Sequence, residues 1–133
     1  MRQLADGGLC AALTATSPPR LAHPSGDEPL VGTTPLAVAI PSSHGRPLVA
    51  DVSMGEVTHG DVIAGLASPE DLVPFGGEHA HKAFALAAGL QLLVEALTGG
   101  EAYGALLLVA RPEADPVPGF RERAAGLRLP GDS

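Results

Sequence analysis

The longest periodic stretch of the chain runs from about residue 81 to 98. Apolar residues recur there at Ala83, Leu86, Ala87, Leu90, Leu93, Val94 and Leu97, the three-and-four spacing of one helix face. The pattern predicts a helix about 27 Å long at its ordinary rise. The other positions are hardly more polar, with Ala85, Ala88, Gly89, Leu92 and Ala96, so the helix is expected to be buried. Only Gln91 and Glu95, one turn apart, offer polar groups, either to a dimer or domain interface or to solvent. Gly99-Gly100 supplies the left-handed backbone on which helices often end.

Shorter apolar runs elsewhere predict strands. Leu9, Ala11 and Leu13 alternate within Gly8 to Thr16. Leu36 to Ile40 is continuously apolar between Pro35 and Pro41, as expected of a strand covered on both faces. Leu48 to Val52 follows after a short turn, and so short a connection predicts an antiparallel hairpin. Ala105 to Ala110 is a third, fully apolar strand. Between these, residues 16–29 are rich in Pro, Ser and Gly and read as loop. Glu56 to Leu66 forms a weak helix pattern interrupted by Gly60 and Gly65, and Ser68-Pro69 is a turn or helix start. The expected architecture is α+β, with a largely antiparallel or mixed sheet and one long buried helix. It is expected to occupy 1–112 as a single core domain, with 113–133 a polar, Pro-rich tail.

Composition narrows the class. The 133 residues suffice for one core, built from aliphatic side chains because Phe, Tyr and Trp number three, one and none. Seventeen Gly and thirteen Pro imply many turns. The net charge of −7, with no Lys/Arg cluster, speaks against nucleic acid. One cysteine, Cys10, excludes an internal disulfide and suits a reducing cytoplasm. No secretory signal is visible, and Gln91 and Glu95 break the long helix's apolar run below bilayer length, so no membrane partner is expected.

The candidate chemistry sits at the start of the long helix. Glu78, His79, His81 and Lys82 cluster after Gly76-Gly77. His81 and His79 have the side chain best suited to proton transfer near neutral pH. As a zinc site His79-x-His81 lacks a second ligand pair at a diagnostic spacing, so no metal is expected. Solvated loop residues remain the plain alternative. Asp51 reads equally as a binding residue or as a turn cap. His23, His44 and His59 lie in loops and receive no role.

Four segments, in order, resemble the type-2 malate/L-lactate dehydrogenase family, which includes ureidoglycolate and sulfolactate dehydrogenases and cyclic-imine carboxylate reductases. Gly32-Thr33-Thr34-Pro35-Leu36-Ala37-Val38-Ala39-Ile40-Pro41 is similar to its G-T-N-P-L-A-x-x-x-P signature, and Asp51-Val52-Ser53 to its D-x-A-T-S turn. Pro74-Phe75-Gly76-Gly77 with His81-Lys82 resembles P-F-G-G-H-K-G, and Arg128 to Asp132 the closing R-x-P-G-E. The resemblance implies a nicotinamide-binding domain of non-Rossmann type, with NAD or NADP as cofactor. It implies cofactor contacts at Gly32, Thr33, Thr34, Pro35, Asp51, Ser53, Gly76, Gly77, His81 and Lys82. Thr34 stands where the family has Asn, Met54-Gly55 where it has Thr-Ser, and Ala83 where it has Gly. Glu78-His79-Ala80 resembles an insertion, and the segment between the Asp turn and P-F-G-G is cut down to Glu56–Val73.

On the same resemblance the chain is expected to begin after the family's catalytic His and substrate-binding Arg. The expected function is therefore a truncated NAD(P)-dependent oxidoreductase acting on a small 2-keto or 2-hydroxy acid or a cyclic imine carboxylate. The missing catalytic segment is expected from a partner, as a homodimer or hetero-oligomer. Two alternatives stand beside it. One is a cofactor-free cyclase, isomerase or lyase that reuses the pocket for acid–base chemistry; the other is a non-catalytic binding protein.

Overall fold

The computed structural model describes residues 1–132. They fall into two compact units, one of Met1–Leu13, Leu36–Val52 and the chain from Leu107 onward, the other of Thr14–Pro35 and Ser53–Leu106. The secondary structure is α+β. It comprises α1 (Arg2–Asp6), β1 (Cys10–Ala15), β2 (Leu21–Ala22), β3 (Pro29–Val31), β4 (Leu36–Ile40), β5 (Leu48–Val52), α2 (His59–Ile63), α3 (Ala80–Thr98), β6 (Ala105–Ala110) and α4 (Val117–Arg123).

The first unit is built on the expected hairpin. β4 and β5 pair antiparallel from Leu36↔Val52 to Ile40↔Leu48, within a sheet of order β5-β4-β1-β6. Ala37 and Ala39 are buried on one face of β4, while Leu36, Val38 and Ile40 are half-buried, so the second face is only partly covered. β6 is a strand with the expected bounds, and it lies at the sheet edge with Leu107, Leu108 and Val109 exposed. An unbroken apolar run records β-propensity and cannot report whether a second layer is present.

The segment 113–133 is expected as a tail; its described residues, 113–132, contribute α4 and a hydrogen-bonded clasp. Val117 is buried, and Val49 donates its N–H to Pro130 O at 3.4 Å. Arg2 donates to Gly131 O at 2.8 Å, and Arg121 to Asp132 at 2.9 Å and Pro47 O at 3.4 Å. Asp115 similarly accepts both the N–H and the hydroxyl of Ser43.

The second unit is built around α3. β2 and β3 form a short antiparallel pair that carries loop 23–28, and β3 packs against α3. α2 opens on a capping box in which Thr58 and Asp61 satisfy each other's N–H groups. α3 ends as expected, with Gly99 left-handed at φ 92°. Its burial is not as expected. Ala80, Ala83, Ala87, Gln91 and Val94 are buried on one stripe, whereas Leu86, Leu93 and Leu97 are 51%, 45% and 65% exposed. Small residues face inward and leucines outward, so composition alone mislabelled the faces. The helix with its leading turn, Gly77–Thr98, is also long and apolar enough by length and composition to cross a membrane, contrary to the length expected of it. Its buried stripe and its hydrogen bonds to residues 32–34 are those of a helix packed within a protein.

The clasp has a defined pH response. The hydrogen bond from Arg121, then that from the Leu129 N–H, holds the Asp132 carboxyl below the usual carboxylate range. Hydrogen bonds from Thr58 and Ser43 do the same for Asp61 and Asp115. A carboxyl whose folded pKa is depressed contributes stability that is present above its unfolded value of about 3.9 and lost as pH falls through the folded value. Urea midpoints measured from pH 6 downward should therefore fall below about pH 4 in the parent. They should fall less steeply in Asp132→Asn, which starts lower at pH 6; equal slopes would remove Asp132 from this role.

Candidate functional site

Gly32, Thr33 and Thr34 form the rigid base of the site. Gly32 is fully required by its surroundings, because a Cβ there would sit 2.9 Å from the Ser17 carbonyl oxygen. Its N–H donates to Gln91 Oε1 at 2.7 Å, a buried bond spanning 59 positions of chain. Gln91 Nε2 in turn donates to Glu95 at 3.0 Å. Of the two polar residues expected to face water or a partner, Gln91 is buried and serves as the internal acceptor for this loop.

Thr34 is fully buried, with its hydroxyl 3.2 Å from Gly32 O and 3.4 Å from Ala87 O. It also holds φ 43°, a backbone conformation that a β-branched residue avoids. The two carbonyls over-determine that conformation. The family's Asn at this position tolerates a left-handed backbone with less strain, and the Thr34 hydroxyl is turned toward main chain.

Two backbone hydrogen bonds draw the separated motifs together through Met54. Met54 N–H donates to Thr33 O at 2.7 Å, and Phe75 N–H donates to Met54 O at 3.1 Å. Gly55 and Pro74 pair beside them as an isolated bridge. Met54 is itself 1% exposed, so the residue standing in place of the family's Thr is the apolar plug beneath the site. Ser53, half-buried, and Pro35, half-buried, flank this junction in the chain. Asp51 belongs to the first unit, opposite Ala37 in the β4–β5 ladder, with its side chain exposed.

After Phe75 the chain turns on Gly76 and Gly77, both left-handed at φ 108° and 55°, and enters α3 through a single 3₁₀ turn, Gly77–His79. Nothing lies within 4 Å of the point a Gly77 Cβ would occupy. His79 and His81 are exposed, their rings edge-on at 6.3 Å, and Glu78 lies 3.7 Å from His79. Lys82 is exposed too. Two residues beyond buried Ala80, it is turned about 200° around the helix, onto the outer side.

A cavity of about 820 Å³ opens beside this turn, within the usual range for small-molecule sites. Pro74, Gly77 and Ala80 form one wall. The charged groups on its lining are Arg20, Asp27, Glu56 and Glu70, and one imidazole, His23, joins them. His23 Nδ1 accepts the Ser25 N–H at 3.0 Å, which places the neutral ring's proton on Nε2. The ring stands edge-on to Phe84 of α3 with centroids 5.1 Å apart. The imidazole at the cavity is thus His23, while His79 and His81 are not among the lining residues. Sequence reasoning passed over Arg20, His23, Asp27, Glu56 and Glu70 because they lie in loops, or for Glu70 in the single 3₁₀ turn Pro69–Asp71, without periodicity. The dense Pro and Gly of residues 18–29, which hold three charged groups and a His on a short fixed path, were the available signal.

Comparison with known proteins identifies the family. A family model described as malate/L-lactate dehydrogenase matches residues 1–65. The Delta(1)-pyrroline-2-carboxylate/Delta(1)-piperideine-2-carboxylate reductase of Pseudomonas syringae pv. tomato is 28% identical over 179 aligned positions, covering 96% of this chain and 51% of that enzyme. The crystal structure of delta1-piperideine-2-carboxylate reductase from the same organism superposes with a TM-score of 0.79 at 25% identity, over 98% of this chain and 54% of that one. The chain belongs to the malate/L-lactate dehydrogenase family. A further relative, the (2R)-3-sulfolactate dehydrogenase (NADP(+)) of Chromohalobacter salexigens, is 32% identical over 75% of this chain and 35% of that enzyme. The chain therefore spans between about a third and about half of the length of the relatives it matches. The 179 aligned positions also exceed its own 133 residues, so the reductase carries residues inside the matched span that this family member lacks.

Replacing Gln91 by Leu should leave the buried Gly32 N–H unpaired and cost about 1–3 kcal/mol. Urea unfolding should show a lower midpoint at unchanged slope. An unchanged midpoint in the Leu variant would show that the loop does not depend on this bond.

Proposed function

We propose that this family member is the nicotinamide-binding unit of an NAD(P)-dependent reductase whose small-molecule substrate is a cyclic imine carboxylate. The observation that carries the choice of substrate is the charge on the cavity wall, one guanidinium against three carboxylates. A dianion such as a dicarboxylate or a sulfonated 2-hydroxy acid meets repulsion there. A protonated cyclic imine carboxylate is a zwitterion: Arg20 suits its carboxylate, and Asp27, Glu56 and Glu70 suit its positive nitrogen. Relatives of both kinds exist, and the wall favours the reductase kind.

The residues present fit a dinucleotide at the Gly76–Gly77 turn rather than along the acidic wall. A side chain at Gly77 would project into space the backbone leaves clear, and the turn leads into the N-terminus of a 19-residue helix, whose N–H groups favour phosphate. A bound nicotinamide supplies hydride for the carbon of the C=N bond. The chain's own part is to anchor the carboxylate at Arg20 and to keep the nitrogen charged between acids. Hydride added to the already protonated C=N bond gives the neutral amine without a further proton, and His23 Nε2–H, on the same wall, would donate a hydrogen bond to the bound carboxylate. The antiparallel β4–β5 hairpin supports a nicotinamide domain of a type other than the doubly wound parallel sheet.

Calorimetric titration tests the reading. A cyclic imine carboxylate, or the cyclic amino acid formed by its reduction, should bind, and malate and 3-sulfolactate should bind at least about tenfold more weakly, a difference of about 1.4 kcal/mol. Arg20→Ala and Glu56→Gln/Glu70→Gln should each weaken that binding. NADH or NADPH should bind separately and lose affinity on Gly77→Val. Malate binding as tightly as the cyclic acid would overturn the substrate assignment. Cyclic-acid binding with no nicotinamide binding would favour cofactor-free acid–base chemistry in the same cavity.

A further inference from the structure

A second cavity, of about 280 Å³, opens between α4 and the turn end of the β4–β5 hairpin, and all of its lining lies in the first unit. Ile40 and Leu48 are directly paired across the ladder, so their side chains stand on one face of the hairpin. Pro116, Phe120 and Arg123 follow one another at four and three residues, the spacing of one helix side. Val117, 2% exposed, completes the lining. Five of the six residues are thus apolar, and the sixth carries a guanidinium. Phe120 keeps 41% of its surface exposed, so the chain does not itself fill the space beside the ring.

The charge selects the occupant. α4 carries two arginines in its last turn. Arg121 is taken up within the fold, donating to Asp132 and to Pro47 O. Arg123 belongs to no ion pair among the described residues. Its Nη1 lies 3.6 Å from the point a Gly119 Cβ would occupy, so the side chain folds back along the helix over Gly119. A guanidinium beside apolar walls is screened less than one in open water, and its fork of N–H donors matches a carboxylate.

We propose that this cavity binds a small apolar monocarboxylate, an aryl or branched aliphatic acid. Its hydrocarbon part lies between Phe120 and the Ile40–Leu48 pair, and its carboxylate meets Arg123. One positive charge matches one negative charge, and the chain's net charge of −7 works against a ligand that carries more. Among the described residues no acid lines this cavity, so an amine or a zwitterion finds no counter-charge there. That separates it from the cavity walled by Arg20 and three carboxylates. The volume is near the lower bound of about 300 Å³ for small-molecule sites, which suits one ring or one short branched chain. The proposal rests on no part of the substrate or cofactor assignment.

Phenylacetate serves as the probe, read on methyl resonances of the full 133-residue chain. Ile40 and Ile63 are its two isoleucines, one lining the cavity and the other in α2 of the second unit. Titration should shift Ile40 saturably at about millimolar acid, the strength expected of so few atoms, and leave Ile63 in place. Phenylacetamide, alike in shape and uncharged, should bind at least about tenfold more weakly. Arg123→Gln, at an exposed position, should weaken phenylacetate by about tenfold as well, and Arg123→Lys, which keeps the charge, by less. Arg20→Ala should leave the Ile40 shift unchanged. An Ile40 resonance that does not move would overturn the proposal; it is the result expected if an apolar side chain of another protein fills the cavity. Equal binding of acid and amide, or full affinity in Arg123→Gln, would remove the carboxylate site, and loss of the shift in Arg20→Ala would assign the acid to the other cavity.

Discussion

The second unit depends on one amide side chain inside an otherwise apolar helix stripe. Gln91 Oε1 takes the Gly32 N–H, and one turn earlier the Ala87 carbonyl meets the Thr34 hydroxyl. A loop with no room for a side chain at Gly32 and a strained backbone at Thr34 is thereby fixed onto α3. Once that loop is fixed, Thr33 O is placed to receive Met54 N–H, and Met54 O to receive Phe75 N–H. Three stretches far apart in sequence become neighbours through backbone groups, whose geometry is insensitive to the side chains at those positions. This is why Met at position 54 is tolerated where relatives are expected to carry Thr: the backbone relay survives, and the buried thioether fills the space below it.

The cavity illustrates a different division of labour. Its lining joins the proline-rich loop between β2 and β3 to Pro69–Pro74 and Gly77, and charged side chains stand on its wall. Proline restricts the path of the loop and glycine lets backbone approach where a Cβ would intrude. Charged groups set on such a path lose little further freedom when a ligand arrives, so their mutual repulsion or attraction toward it is expressed in affinity. The same chain also leaves more apolar surface uncovered than one small molecule could need, on α3 and separately along β6.

Several elements were legible in the residues alone. The α3 boundaries, the β4–β5 hairpin and the Gly99 terminus followed from periodicity, from a connection too short for a crossover, and from glycine's access to the left-handed region. The family followed from ordered motifs. By contrast, α1, the β2–β3 pair and α4 were missed, because elements of two to seven residues carry too few turns or alternations to produce a period. His79 and His81 drew attention by lying next to each other, whereas His23 reaches the cavity wall from a loop that has no period at all.

What the sequence by itself determined were the local properties: where helix and strand run, where glycine must turn the backbone, and which family the motifs belong to. Each depends on neighbours within a few positions. Tertiary structure alone decided which side of α3 is inside, because leucine and alanine are both apolar and only the close approach of other segments selects the smaller one. It also decided that Gln91 is an internal acceptor, that Thr34 is turned inward, and that Arg20, His23 and three acids share one wall. Those facts depend on contacts between residues tens of positions apart, and such contacts leave no periodic trace in a single chain.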